Sequence, residues 1–206
     1  MESPNMVKTD VVDAIVLALE KISRDYVRLS QKNYSKIEGD ISFIRNCSKE
    51  KILERPFAYE FYHQFRSLMD KGIVDFGELV IQAEIDKTYQ HYFENNQQGK
   101  TGRGKIPDFL IHLKNKNQNL AVIEFKLASN QDNLESDFKK LVEFKKNVRL
   151  QYDYGVEVII GDTKSIEQVK LKVEELSTSE GEELQIVYYD TQTGKASNSS
   201  IKFKVF

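Results

Sequence analysis

Asp108 directly follows Pro107, and Glu124 and Lys126 flank Phe125, which gathers two carboxylates and one ammonium within the span 108–126. Two carboxylates can hold a hard divalent cation through oxygen, the ligand type that Mg²⁺ and Ca²⁺ take. An ammonium beside such a cation can steady negative charge that develops in a transition state. Between Asp108 and Glu124 lie fifteen residues, 109 to 123, room for two short strands and a turn. Phe109-Leu110-Ile111-His112-Leu113 and Leu120-Ala121-Val122-Ile123 are rich in β-branched and aromatic residues and read as strands. The polar stretch 114–119 reads as the turn. An antiparallel hairpin of this kind sets Asp108 opposite Glu124 or Phe125, with directly opposed Cβ atoms ~5 Å apart. The pleat then puts Glu124 and Lys126 on one face and Ile123, Phe125 and Leu127 on the other.

With these residues the chain resembles the PD-(D/E)XK nuclease superfamily, whose members share the restriction-endonuclease-like fold. Pro107-Asp108 matches the PD element and Glu124-Phe125-Lys126 the ExK element, and in fold terms the resemblance covers about residues 55–162. It implies a metal-dependent phosphodiesterase acting on nucleic acid, with DNA the expected substrate and Mg²⁺ the expected cofactor, which Mn²⁺ can replace. Asp108, Glu124 and the backbone carbonyl of Phe125 are then expected to hold the ion. Lys126 is expected to orient water and stabilise the transition state, or to accept a proton if its pKa is lowered near the metal. The family often adds an acidic residue from the preceding helix. Phe57, Phe61, Phe65 and Leu68 form the apolar arc of that helix, and a turn of ~100° per residue puts Glu60 at its edge. Glu60 is therefore the matching candidate, with Glu84 its rival. ExK alone carries no weight, because Glu143-Phe144-Lys145 repeats it in a helical pattern without a preceding Pro-Asp.

The remaining elements must frame that hairpin. Ile15, Leu19, Ile22, Tyr26 and Leu29 predict a helix over about 10–31. Pro56 suits the first turn of a second helix, which Lys71-Gly72 stops. A strand is predicted over 79–85, a polar loop over 95–104, a helix over 133–149 and an apolar strand over 156–160. A helix over 163–176 and strands over 184–189 and 201–206 follow. The order predicts an α/β fold with a mixed central sheet flanked by helices, as the restriction-endonuclease-like resemblance implies. Residues 1–50 are expected as an N-terminal helical extension and 51–206 as the nuclease-like domain.

Composition narrows the partners. No run of 18 apolar residues is present, so no membrane partner is expected, and the lone Cys47 forms no internal disulfide. A cytoplasmic location is the expectation. Net charge is −2, yet residues 99–150 carry eleven Lys/Arg against six Asp/Glu. This local positive zone suits phosphates, and Lys100, Arg103 and Lys105 are the expected nucleic-acid contacts, extended by Lys139, Lys140 and Lys146. Gly99-Lys100-Thr101 lacks the phosphate-loop spacing, and His112 is expected as a partly exposed strand histidine. The alternative expectation is a catalytically silent module of the same fold that grips nucleic acid or protein. A third is a small interaction protein with a coincidental motif. Assembly stays open, a homodimer included.

Overall fold

Residues 10–23, 28–29, 51–52, 54–83, 106–113, 118–148 and 150–205 are described by a computed structural model of the chain. The helix α1, Val11–Glu20, starts where the Asp10 carboxylate accepts from the Val12 and Asp13 amides, an N-cap that satisfies otherwise orphan donors. A short antiparallel pair, β1 (Arg28–Leu29) and β2 (Lys51–Ile52), precedes α2, Glu54–Asp70. Gly72 then adopts φ 66°, the left-handed conformation that glycine takes without penalty, and the Ile73 amide closes on the Leu68 carbonyl at 2.9 Å. The strands β3 (Val80–Ala83), β4 (Phe109–His112) and β5 (Asn119–Leu127) come next. Then follow α3 (Leu134–Lys146), β6 (Tyr154–Gly161), α4 (Thr163–Leu176), β7 (Glu182–Asp190) and β8 (Lys195–Phe203).

The last six strands form one mixed sheet in the order β3-β4-β5-β6-β7-β8. The outer pairs are antiparallel, while β5, β6 and β7 run parallel, with α3 and α4 as the crossovers between them. Helices cover both faces. Residues of α1 and α2 pack with Ile123, Phe125, Val158 and Tyr189 on one side. On the other, Phe138 and Leu141 of α3 and Ile166 and Val169 of α4 pack against Val122, Ile159 and Ile186. The α/β architecture with a mixed, helix-flanked sheet is the one expected.

Two boundaries differ from expectation for physical reasons. The first helix ends at Glu20 rather than near residue 31, and Leu29 lies in β1. Its Ile15 and Leu19 are fully buried against α2 and the sheet, so α1 is a wall of the core instead of an appended extension. A helix with one apolar stripe must bury it somewhere, and here the sheet supplies the surface. The last strand starts at Lys195, six residues earlier than expected, because polar Ser197–Ser200 can serve an exposed edge that pairs with β7. Among the described residues no helix is long and apolar enough to cross a membrane.

Candidate active site

The ladder between β4 and β5 pairs Phe109 with Ile123, so one further step along the chain brings Asp108 abreast of Glu124. Within a strand, alternate residues turn their N–H and C=O toward the same neighbour. Ile123 faces β4, so Phe125 and Leu127 face that side too, beyond the point where β4 stops pairing. Carboxylates take the vacated places. Asp108 Oδ2 accepts from the Phe125 amide at 2.7 Å, and Glu54 Oε2 accepts from the Leu127 amide at 3.3 Å. The Phe125 carbonyl consequently turns to the same side as Asp108. A cleft of about 80 Å³ opens there between α2 and the sheet, lined by Glu54, Arg55, Tyr59, Asp108 and Phe125 among others.

Aromatic packing fixes this corner. The Phe61 ring lies 5.6 Å from that of Phe109 and 5.0 Å from that of Phe125, and Phe57 lies 6.1 Å from Phe125. Rings at these separations in tilted arrangements contribute beyond their buried area. The helix that carries Glu54 is thereby clamped to the two strands that carry Asp108 and Phe125.

The face toward α3 holds the remaining charges. Glu124 Oε1 lies 2.7 Å from Lys140 Nζ, and the same ammonium donates to the Ile106 carbonyl at 2.7 Å. Lys126 Nζ lies 2.6 Å from Asp137 Oδ2. Register pairs Glu124 with Glu157 on the adjacent parallel strand. Glu157 is 0% exposed, and neither of its oxygens has a hydrogen-bond partner among the described residues. Central strands covered on both faces normally read as unbroken apolar runs, and a carboxylate there is expensive unless something compensates it.

Burial pushes the Glu124 carboxyl up to about 8, against the pull of Lys140 and with a further push from Asp108. Burial likewise raises Glu157 well above the ordinary carboxylate range, helped by Asp137 and Glu124. Burial alone would lower Lys126, but the Asp137 carboxylate outweighs it, with Glu157 and Glu54 adding to the effect, and the ammonium is held above its usual range. Lys126 is therefore a persistent cation. Burial raises Glu54 as well, opposed by the Leu127 amide and by Lys126.

Asp108, Glu124 and Lys126 all lie at this one end of the hairpin, with Asp108 lining the cleft beside α2 and Glu124 and Lys126 ion-paired to α3. Glu60 does not join them. Its carboxylate accepts from Gln64 Nε2 at 2.7 Å, and it sits six residues, ~9 Å along the helix axis, beyond Glu54. Glu54, whose charge acts on Lys126, occupies the place expected for Glu60. Glu84, Lys100, Arg103 and Lys105 lie outside the described residues. Of the helix lysines expected to extend the positive surface, Lys139 and Lys146 are exposed and Lys140 is not. Lys139 pairs with Glu135 at 2.7 Å, Lys146 approaches Glu182 at 3.9 Å, and Lys140 points inward to Glu124. His112 is buried rather than partly exposed, because β3 covers it and Gln82 bonds its ring.

The chain matches no family model, no curated protein and no solved structure. The site must therefore be judged on its own chemistry. Among the described residues no three His, Cys, Asp or Glu side chains already converge as a ready cage. A Mg²⁺ ion needs less, since one or two carboxylates and retained waters suffice. The donors here are all hard oxygens, and the Glu124 carboxylate and the unpartnered Glu157 are compensated too weakly by protein alone. Asp108, Glu124 and the Phe125 carbonyl thus fit such an ion, which must displace Lys140 from Glu124. Four participants escaped the sequence reading: Glu54, Asp137, Lys140 and Glu157.

Proposed function

We propose that this protein is a metal-dependent nuclease of restriction-endonuclease-like fold, hydrolysing phosphodiester bonds in nucleic acid, with DNA as its expected substrate. The observation that carries the reading is the arrival of Asp108, Glu124 and Lys126 at the single point where β4 stops pairing with β5. Asp108, Glu124 and the Phe125 carbonyl would hold Mg²⁺, or Mn²⁺ in its place. When bound, such an ion supplies positive charge to the phosphoryl group and acidifies water. Lys126, kept cationic by Asp137, supplies charge stabilisation for the extra negative charge on phosphorus rather than acting as a proton acceptor. Lys140 neutralises Glu124 until a cation arrives, and its freed ammonium is then positioned to meet substrate phosphate. Glu54 holds the end of β5 in register with α2 through the Leu127 amide.

A second reading has one observation in its favour. Lys126 and Glu124 each already have a partner of opposite charge, as they would in a catalytically silent module that binds nucleic acid or protein. Incubation of the purified chain with labelled duplex DNA, single-stranded DNA and RNA, in Mg²⁺, Mn²⁺ or EDTA, separates the two. The nuclease reading expects cation-dependent cleavage that Asp108→Ala and Lys126→Met both remove. Retention of nucleic acid without cleavage under every condition favours the silent module.

A further inference from the structure

Glu157 has no role assigned to it in the cation site described above, and no local rule explains it. It interrupts the run Val156-Glu157-Val158-Ile159-Ile160 on a strand whose neighbours on both sides are parallel and buried. Valine or isoleucine would satisfy the strand, the core and the α3 face alike. The carboxylate is fully enclosed, and neither oxygen has a hydrogen-bond partner among the described residues. It shares the sheet face of Glu124, its register partner, and the charges that act on it are those of Asp137, Glu124, Lys126 and Asp108. A buried carboxyl of this kind is a burden to the metal-free protein. Positions that break every local rule at once concentrate at functional sites.

We propose that Glu157 supplies a third carboxylate to the divalent cation held by Asp108 and Glu124, reaching it from the neighbouring parallel strand. The proposal rests on the cation-site reading above. A hard divalent cation would compensate neighbouring carboxylates together, drawing in side chains that do not converge in the metal-free chain. The sheet places Glu157 one strand spacing, ~4.8 Å, from Glu124. With Glu157 engaged, the three acidic side chains come from β5, β6 and the residue that leads into β4, which is a rigid platform.

The test compares the full chain with Glu157→Gln and Glu157→Met, which both keep the side-chain length and remove the charge. Each is freed of metal with EDTA, then titrated with Mn²⁺ alone by calorimetry, and followed by thermal unfolding. The wild type is expected to bind Mn²⁺ and to melt at higher temperature with it. The variants are expected to melt higher than the wild type without metal, to lose most of the Mn²⁺-induced rise, and to bind Mn²⁺ roughly 10–100-fold more weakly. A purely structural Glu157 would not couple these two readouts. Mn²⁺ binding and melting shift that match the wild type in both variants, while Asp108→Ala abolishes them, would overturn the inference and leave the cation site standing. A wild type that takes up no Mn²⁺ overturns the two together.

Discussion

The Asp108 carboxylate accepts the Phe125 amide at 2.7 Å, so a side chain on β4 continues the backbone ladder one step past the last strand pairing. This contact gives Asp108 two separable duties. One is structural, closing the free edge of β5. The other, under the proposed function, is as an anionic ligand. Asp108→Asn keeps an acceptor for the amide and removes the charge, whereas Asp108→Ala removes both. The alanine variant should be destabilised by about 1–2 kcal/mol in EDTA, the asparagine variant by less. Both should lose the Mn²⁺-induced rise in melting temperature. Urea unfolding in EDTA beside a Mn²⁺ melting series reads the two duties independently.

The raised Glu124 carboxyl fixes a pH dependence. Its ordinary value is 4.5, and in the folded protein it stands at about 8. Between these values the folded chain binds more protons than the unfolded one, so stability falls as pH rises through the window and levels off above it. Burial is the first cause, with Lys140 pulling the other way. Denaturation in EDTA from pH 5 to 9 should therefore show declining stability toward alkaline pH. Glu124→Gln should flatten the decline. An undiminished slope in that variant would assign the effect to another group.

Lys140 bridges Glu124 and the Ile106 carbonyl, tying α3 to the approach of β4. Removing one partner of a buried pair leaves the other uncompensated. Lys140→Met should lower stability by about 1–3 kcal/mol near pH 8, where Glu124 is substantially ionised, and by less at pH 5, where it is protonated. Equal losses at the two pH values would mean that packing of the lysine stem, not its charge, is what the variant removes.

Glu54 and Glu60 lie on one helix and make opposite predictions. Glu54→Gln disturbs a group that bonds the end of β5 and acts on Lys126, so the cleavage rate should drop by about tenfold or more. Glu60→Gln disturbs only a contact with Gln64, and the rate should stay at the wild-type value. Single-turnover cleavage at saturating Mg²⁺ compares them. The reverse ranking would restore Glu60 to the site.

Much of this arrangement can be read in the sequence, and the omissions have causes. The hairpin of β4 and β5 is legible because period-two alternation sorts Glu124 and Lys126 onto one face and Ile123 and Phe125 onto the other. Two helices, α2 and α4, are legible from Pro56, Gly72 and their apolar stripes. Glu54 was hidden because the apolar arc of α2 points to Glu60. The signal that favours Glu54 is its place in the first turn, ahead of Pro56. Glu157 carries a clearer signal, a lone acid in the apolar run 156–160, that only becomes a site residue once parallel register sets it beside Glu124. Asp137 and Lys140 sit on an ordinary charged helix face, and nothing short of the packing of α3 on β5 separates them from solvating neighbours.

A nuclease of this kind must cleave only with both a cation and Lys126. Single-turnover cleavage of end-labelled duplex DNA should be followed across a Mg²⁺ series for the wild type and Lys126→Met, with Mn²⁺ uptake measured on the same samples. The predicted result is Mg²⁺-dependent cleavage by the wild type and a rate about 10²-fold lower or worse in Lys126→Met, with Mn²⁺ uptake retained. Cleavage at the same rate in both proteins, or none in a wild type that takes up Mn²⁺ fully, would contradict it.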